Sequence, residues 1–282
     1  MAVVEIGEDP RPQELPPGPA SAKRAGFLYR RSGIWTVRIA MAILVFGSWQ
    51  LYASHVSKFL DAPPSSIVKA AWRQLVTQHT IWSPLLSSLE ALFLGYAISL
   101  AIGIPVGIAM GRWRKVESVL APYVSFLYVL PHVAFISLMV IWFGFGLKFR
   151  LAYVVVSAVW PIIINTMVGA KNVDQGMLDV GRSVCASERK MLRTIVLPSA
   201  IPYMLIGARQ AFFLSWIGVI VAEVLSTQTG LGGVLTHYSD YYQTADMFVP
   251  IVLIMVIGVL IQSASNRVQR WIAPWSNTAG SR

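Results

Sequence analysis

The stretch LDVGRSVCASERKMLRTIVLP, residues 178–198, lies between two long apolar runs and decides how the rest of the chain is read. Its middle carries Arg182, Glu188, Arg189, Lys190 and Arg193, so it cannot lie in hydrocarbon. Met191, Leu192, Ile195 and Val196 nevertheless recur at helical spacing and need an apolar cover. A basic, helix-compatible island of this kind, held at a membrane face, reads as a docking knob for a soluble partner.

The composition around the island agrees. Of 282 residues 55% are hydrophobic and 13% charged, against about a quarter charged in soluble domains. A soluble globule so poor in charge would leave apolar surface in water, so lipid is the better solvent. Ten Trp and ten Tyr suit aromatic belts at two membrane interfaces. The net charge of +10 is dispersed among apolar runs, which argues for cationic loops and against nucleic acid. A single cysteine, Cys185, excludes an intrachain disulfide and reads as a free thiol.

A spanning helix needs roughly 20 mostly apolar residues, and six stretches qualify: 34–53, 89–110, 120–143, 151–170, 201–223 and 247–264. Gly144, Gly146, Lys148 and Arg150 divide the third from the fourth, as a tight turn at an interface. Cation counting then puts both termini in the cytoplasm, with Arg112, Arg114, Lys115, Lys171 and the 178–198 island inside, and only Lys58, Lys69, Arg73, Lys148 and Arg150 outside. Residues 1–33, rich in Pro and Glu, read as a disordered tail; residues 34–266 form the membrane domain and 267–282 a cytoplasmic tail. A peripheral helix starting at Pro64-Ser65-Ser66, with Ile67, Ala70, Ala71 and Leu75 on its apolar face, lies between the first two spans.

Residues 178–198 resemble the EAA loop of ABC-importer permeases. Asp179, Val180 and Gly181 fall on the E-A-A positions, Cys185 on the usual glycine and Leu197-Pro198 on the closing pair. SLEALFLGYAISLAIGIPVGIAMG (88–111), LMVIWFGFG (138–146), WPIIINTMVGAKNVD (160–174) and WIGVIVAEVLSTQTGLGG (216–233) are similar to the nitrate/taurine/alkanesulfonate branch of that family. The resemblance implies an all-α integral membrane permease of six helices with cytoplasmic coupling helices in a loop over 172–200. It further implies a plasma or inner membrane location, a homodimer of permease copies, a cytoplasmic ABC ATPase dimer and an extracytoplasmic solute-binding protein. The solute expected is a small organic or inorganic anion such as a sulfonate, taurine, nitrate or a carboxylate. The chain itself lacks any G-x-x-x-x-G-K-[ST] phosphate loop, so ATP and Mg belong to the ATPase, and no cofactor, metal or catalytic group is expected here.

ATPase-coupling roles are implied for Leu178, Asp179, Gly181, Arg182, Cys185, Ala186, Ser187, Arg189, Met191 and Leu192. Locally, one short helix is expected from about Gln175 to Val184, a turn at Cys185-Ala186, and a second short helix from Ser187, a good N-cap. Pro198 and Pro202 are expected to limit re-entry into the membrane. Cysteine in place of glycine disfavours a left-handed turn at 185, so the turn is expected to shift toward Ala186 or to stay nearer helical.

Polar residues within spans each need a role. Glu223 lines an exit or gate, or is an interfacial carboxylate that reaches water. His132 and Ser137 give the pore wall hydrogen-bonding groups, or bond between helices, as do Asn165 and Thr166. Arg209 attracts an anion or snorkels. Gly103, Gly107 and Gly111 mark close helix packing, and Trp142, Phe143, Trp160 and Trp216 read as belt or core. Gly230-Leu231-Gly232-Gly233 reads as an outer loop or gate element. An ATP-independent secondary transporter or channel is the alternative, but it would be expected to show ion-coupling acids or inverted repeats. An intramembrane enzyme is disfavoured because His55, His79, His132 and His237 are scattered.

Overall fold

Apolar runs in lipid must satisfy their backbone internally, and here they do so as helices. In the computed structural model, residues 31–55, 62–226 and 229–272 are described, and the described residues contain no strand. Residues through Tyr52 form one unit and those from Ala53 onward another. In the first unit, α1 (Arg31–His55) is apolar on every side and exposes Trp35, Ile43, Leu44 and Phe46, as a lipid-facing helix would. The tail expected over 1–33 lies almost wholly outside the described residues.

The second unit begins with α2 (Pro64–Trp72), capped by Pro63 and started by a proline at its first position, as expected of the peripheral helix. It runs into a π turn, Arg73–Thr77. Gln74 is buried there, and its amide donates to Asp246 Oδ1 at 2.8 Å; Arg73 pairs with the same carboxylate, which raises its already high pKa. The long apolar helices follow: α3 (Trp82–Arg112), α6 (Leu147–Lys171), α9 (Leu197–Ser226) and α11 (Thr244–Ile272), with α10 (Gly230–Asp240) between the last two. Five helices are long and apolar enough to span, or six if one bent pair counts as a span.

That pair corrects the expected third span. Residues 120–143 are not one helix: α4 (Arg114–Val129) stops, a 3-10 turn (His132–Phe135) intervenes, and α5 (Ile136–Phe143) leaves at 89°. Pro131 is the cause. It forces Leu130 out of the helical region, to ψ 135, and has no N–H to continue the ladder. The turn predicted after α5 does form, with Gly144 at φ +68 and Gly146 at φ +107. An added Cβ would meet nothing at either position, so backbone conformation alone selects glycine. Arg150 does not belong to that turn: it lies in α6 and is buried.

The core is the stack of α3 on α6 on α9. Ala158, Ile162 and Ala211 pack with Tyr96, Leu100 and Ile104 where the three meet. Gly103, Gly107 and Gly111 are the reason α3 can approach α6 so closely. A Cβ on Gly107 would sit 2.6 Å from Thr166 Cβ and 2.7 Å from the Ile163 carbonyl. Backbone cannot yield there as a flexible side chain might elsewhere. Gly107→Val should therefore destabilise the bundle by about 1–3 kcal/mol, read as a lowered unfolding temperature in detergent. Gly47→Ala, where an added Cβ meets nothing, should cause no loss.

Candidate functional site: the polar loop and the buried carboxylate

The polar loop is built by caps. Asp174 ends the approach from α6 and its carboxylate accepts the Met177 N–H at 3.2 Å, starting α7 (Gln175–Ser183). Ser187 caps the next helix, α8 (Glu188–Met191), by accepting the Lys190 N–H at 3.4 Å. Between them the Ala186 N–H donates to Gly181 O (3.0 Å) and the Cys185 N–H to Arg182 O (2.9 Å). This double closure is a Schellman motif, with Cys185 in the position glycine prefers. Its φ is +52, so the left-handed turn stays at Cys185, contrary to the expected shift. The two closing bonds hold a conformation that costs a non-glycine residue about 1–2 kcal/mol. The thiol is exposed.

The second helix is not short, another correction. After α8 a π turn, Leu192–Val196, passes directly into α9. Pro198 lacks a donor and would clash with the carbonyl four residues back, and the widened turn just before it accommodates both. The chain is thus helical from Glu188 to Ser226.

The loop helices close on each other. Leu178 packs with Ala170, Val173 and Val196, flanked by Leu192 and Ile195. Met191 is buried, and Gly181 makes room for it: an added Cβ would lie 3.3 Å from Met191 Sδ and 3.1 Å from Ile195 Cδ1. Leu178, Gly181 and Met191 therefore shape the knob from inside, and the apolar cover expected from a partner is supplied largely by α7. Asp179, Arg182, Ser187 and Arg189 face solvent, as does Cys185; Ala186 and Leu192 are half-buried. Sequence reading missed Met177, Val180 and Val184, which are 50%, 65% and 70% exposed. Their i, i+3, i+7 spacing puts all three on one face of α7, and that pattern was present in the sequence. Arg112 at the end of α3 pairs with Glu188, and Lys171 at the end of α6 pairs with Glu117 of α4.

Toward the other end of α9, Glu223 is fully buried, which removes the reading that it reaches water. Arg150 Nη1 donates to Glu223 Oε1 at 3.0 Å and also to the Ser87 carbonyl (3.1 Å) and hydroxyl (3.0 Å). Ser88 Oγ lies 2.9 and 2.8 Å from the carboxylate oxygens, donates to them and accepts the Leu231 N–H at 2.9 Å. The Gly232 N–H donates to Oε2 at 3.1 Å. Glu223 thus caps α10 from another helix, its charge set against the positive helix end. Gly230 has φ +79, and a Cβ there would fall 2.0 Å from Glu223 Oε1, so the Gly-Leu-Gly-Gly run exists to admit this carboxylate.

The remaining candidates are held by different elements. Asn165 on α6 donates to Pro161 O (2.8 Å) and to Gln210 Oε1 on α9 (3.2 Å). Thr166 is buried against Gly107. His132 is half-buried in the turn at the broken span, and Ser137 is exposed on α5. Arg209 is tied to α11, where Asn266 Oδ1 and Gln269 Oε1 accept from it at 3.0 and 3.1 Å. Trp216 is core, donating to Ile254 O at 3.1 Å.

This is the fold of an ABC-importer transmembrane subunit. A chain of the MetNI methionine ABC transporter, solved in inward-facing conformations, matches with TM-score 0.58 at 19% identity, over 71% of this chain and 97% of that one. An amino acid ABC transporter matches with TM-score 0.56 at 16% identity, over 71% and 96%. The chain belongs to the family of binding-protein-dependent transport system inner membrane components, whose model matches residues 103–277. The bicarbonate transport system permease protein CmpB of Synechococcus elongatus is 30% identical over 79% of this chain and 84% of its own. The taurine transport system permease protein TauC of Escherichia coli is 28% identical over 83% and 87%. The putative aliphatic sulfonates transport permease protein SsuC of Bacillus subtilis is 27% identical over 94% and 96%. The chain is accordingly a multi-pass inner-membrane permease subunit of an importer, not an enzyme, and works with separate ATPase and solute-binding components.

Removing one partner of a buried ion pair strands the other. Glu223→Ala should therefore cost about 3–5 kcal/mol, whereas Glu223→Leu combined with Arg150→Met should recover most of that loss. Thermal unfolding of the two proteins decides it: a Glu223→Ala chain as stable as the parent would deny the tie any structural role.

Proposed function

We propose that two copies of this chain form the translocation path of an ATP-driven importer for a small anion, and that the exposed face of α7 seats the ATPase. One observation carries the second part: Met177, Val180 and Val184 form an apolar row in solvent on an otherwise polar, doubly capped knob. An apolar row on a knob outside the membrane is the kind of surface a protein partner covers. Asp179, Arg182, Cys185, Ser187 and Arg189 would rim it, while Leu178, Gly181, Met191 and Leu192 keep its shape. ATP and Mg²⁺ would be bound by the ATPase alone.

The polar loop is read as cytoplasmic, with both termini on that side. Arg112, Arg114, Lys115, Lys171 and the loop cations outnumber those at the other end, and the burial of Arg150 removes one cation from the opposite count. The anion is suggested by the relatives, whose names specify sulfonates, taurine and bicarbonate. His132 and Ser137 at the broken span, with Asn165, are the candidates to line its path. Glu223 would act on the gate at second hand, by holding α10.

Val180→Glu with Val184→Glu changes only exposed positions, so the permease should fold while co-purified ATPase falls about tenfold or more. Uptake of taurine, an alkanesulfonate or bicarbonate into cells carrying the whole system should stop on ATP depletion. Unchanged ATPase recovery would remove α7 as the seat, and uptake indifferent to ATP would favour an ATP-independent carrier.

A further inference from the structure

The ends of α3 and α6 and the start of α4 border an open cavity of about 550 Å³ lined by Gly111, Arg112, Arg114, Glu117, Ser118, Ala121 and Lys171. Three cations face it and one carboxylate. Lys171 is paired with Glu117, and Arg112 with Glu188 of the polar loop. Arg114 forms no ion pair among the described residues, and the buried Arg112 Nε–H has no acceptor. A cavity wall with three cations, one carboxylate and an unpaired Arg114 suits an anion bearing several acceptor oxygens.

Position narrows the anion. Arg112 and Lys171 are the last residues of their spanning helices and Arg114 is the first of α4, so the cavity sits at the polar-loop end of the bundle, where headgroups would lie. Trp113, 54% exposed, stands beside it as an interfacial aromatic would. Ala121 lines the cavity, and Ser125 and Val129 follow at four-residue spacing on the same face of α4, both exposed. A charged seat therefore continues into an open strip along the span, a shape suited to a headgroup with its acyl chain. We infer that this cavity binds the phosphate of an anionic phospholipid in the leaflet on the polar-loop side. The headgroup would pair with Arg114, next to the ion pair that ties α3 to the loop.

The test uses the purified full chain in detergent, without ATPase, so its failure would leave the transport reading untouched. Native mass spectrometry compares retention of phosphatidylglycerol and phosphatidylcholine of identical acyl composition. The parent should prefer phosphatidylglycerol. Arg114→Gln should cut that preference about fivefold and Arg114→Glu should abolish it, whereas Lys115→Gln, a neighbouring cation outside the cavity, should leave it nearly intact. Arg114 is exposed and unpaired, and equal unfolding temperatures would confirm that the variants fold. No headgroup preference in the parent, or equal effects of Arg114→Gln and Lys115→Gln, would overturn the inference. Loss of the bound lipid to millimolar inorganic phosphate, with the same dependence on Arg114, would assign the seat to free phosphate instead and overturn the lipid assignment.

Discussion

The buried pairing of Arg150 with Glu223 is the interaction on which the far end of the bundle depends. They are the two buried charged residues among those described, and each comes from a different long helix. Taking two charges out of water is repaid only where the geometry is good and the remaining hydrogen-bonding groups are met. Here Ser87, Ser88 and two backbone N–H groups of α10 surround the carboxylate and the Arg150 Nη1, although the buried Arg150 Nε–H has no acceptor. Four helices, α3, α6, α9 and α10, are thereby held at one point. A hydrophobic substitute could fill the same volume, but it could not cap α10 or specify where that helix begins.

The opposite end solves a different problem, that of making a rigid projection from a chain leaving the membrane. Asp174 and Ser187 start its helices, a Schellman closure turns the chain between them, and Leu178, Met191 and Val196 fill the interior. Cys185 shows that the turn is dictated by its closing hydrogen bonds more than by the residue at its corner. Tyr242, at φ +54, repeats the arrangement where α10 ends: its N–H donates to Ser239 O and the Gln243 N–H to Tyr238 O. In both places a helix end is set by carbonyls that must be satisfied.

Much of this was legible in the residues. Hydrophobic run length located most of the membrane helices, Gly103, Gly107 and Gly111 announced close packing of α3, and the Ser187 cap of the polar loop could be read by residue type. What could not be read was long-range. Glu223 reads locally as a gate or interfacial carboxylate and Arg150 as a turn cation, because nothing local to either one signals that the other lies 73 positions away. The break at Pro131 was hidden by hydropathy, which stays apolar across it and is blind to direction. Pro198 misled in the other sense: a proline suggests an interruption, yet a π turn one step earlier lets the helix continue. Met177, Val180 and Val184 were visible as a helical row, but only the burial of Leu178 and Gly181 beside them shows which face of α7 is left to solvent.

That continuity links the two ends. Glu188, paired with Arg112, and Glu223, paired with Arg150, belong to one unbroken helical stretch on the order of 50 Å long at 1.5 Å per residue. A loop between knob and span would absorb displacement in soft dihedrals; a continuous helix packed on α6 cannot. Besides Pro202, which removes one rung of the α9 ladder, its compliant place is the π turn at Leu192–Val196, immediately beside the knob. A displacement of the knob must therefore either unwind that turn or carry α9 with it. In the second case Glu223 moves relative to Arg150 on α6 or takes α6 along, and α10 follows the carboxylate that caps it. On the proposed function, a permease driven from one face would need its distant end joined to that face by elements with little slack, and the helical stretch from Glu188 to Ser226, with an ion pair near each end, would meet that need.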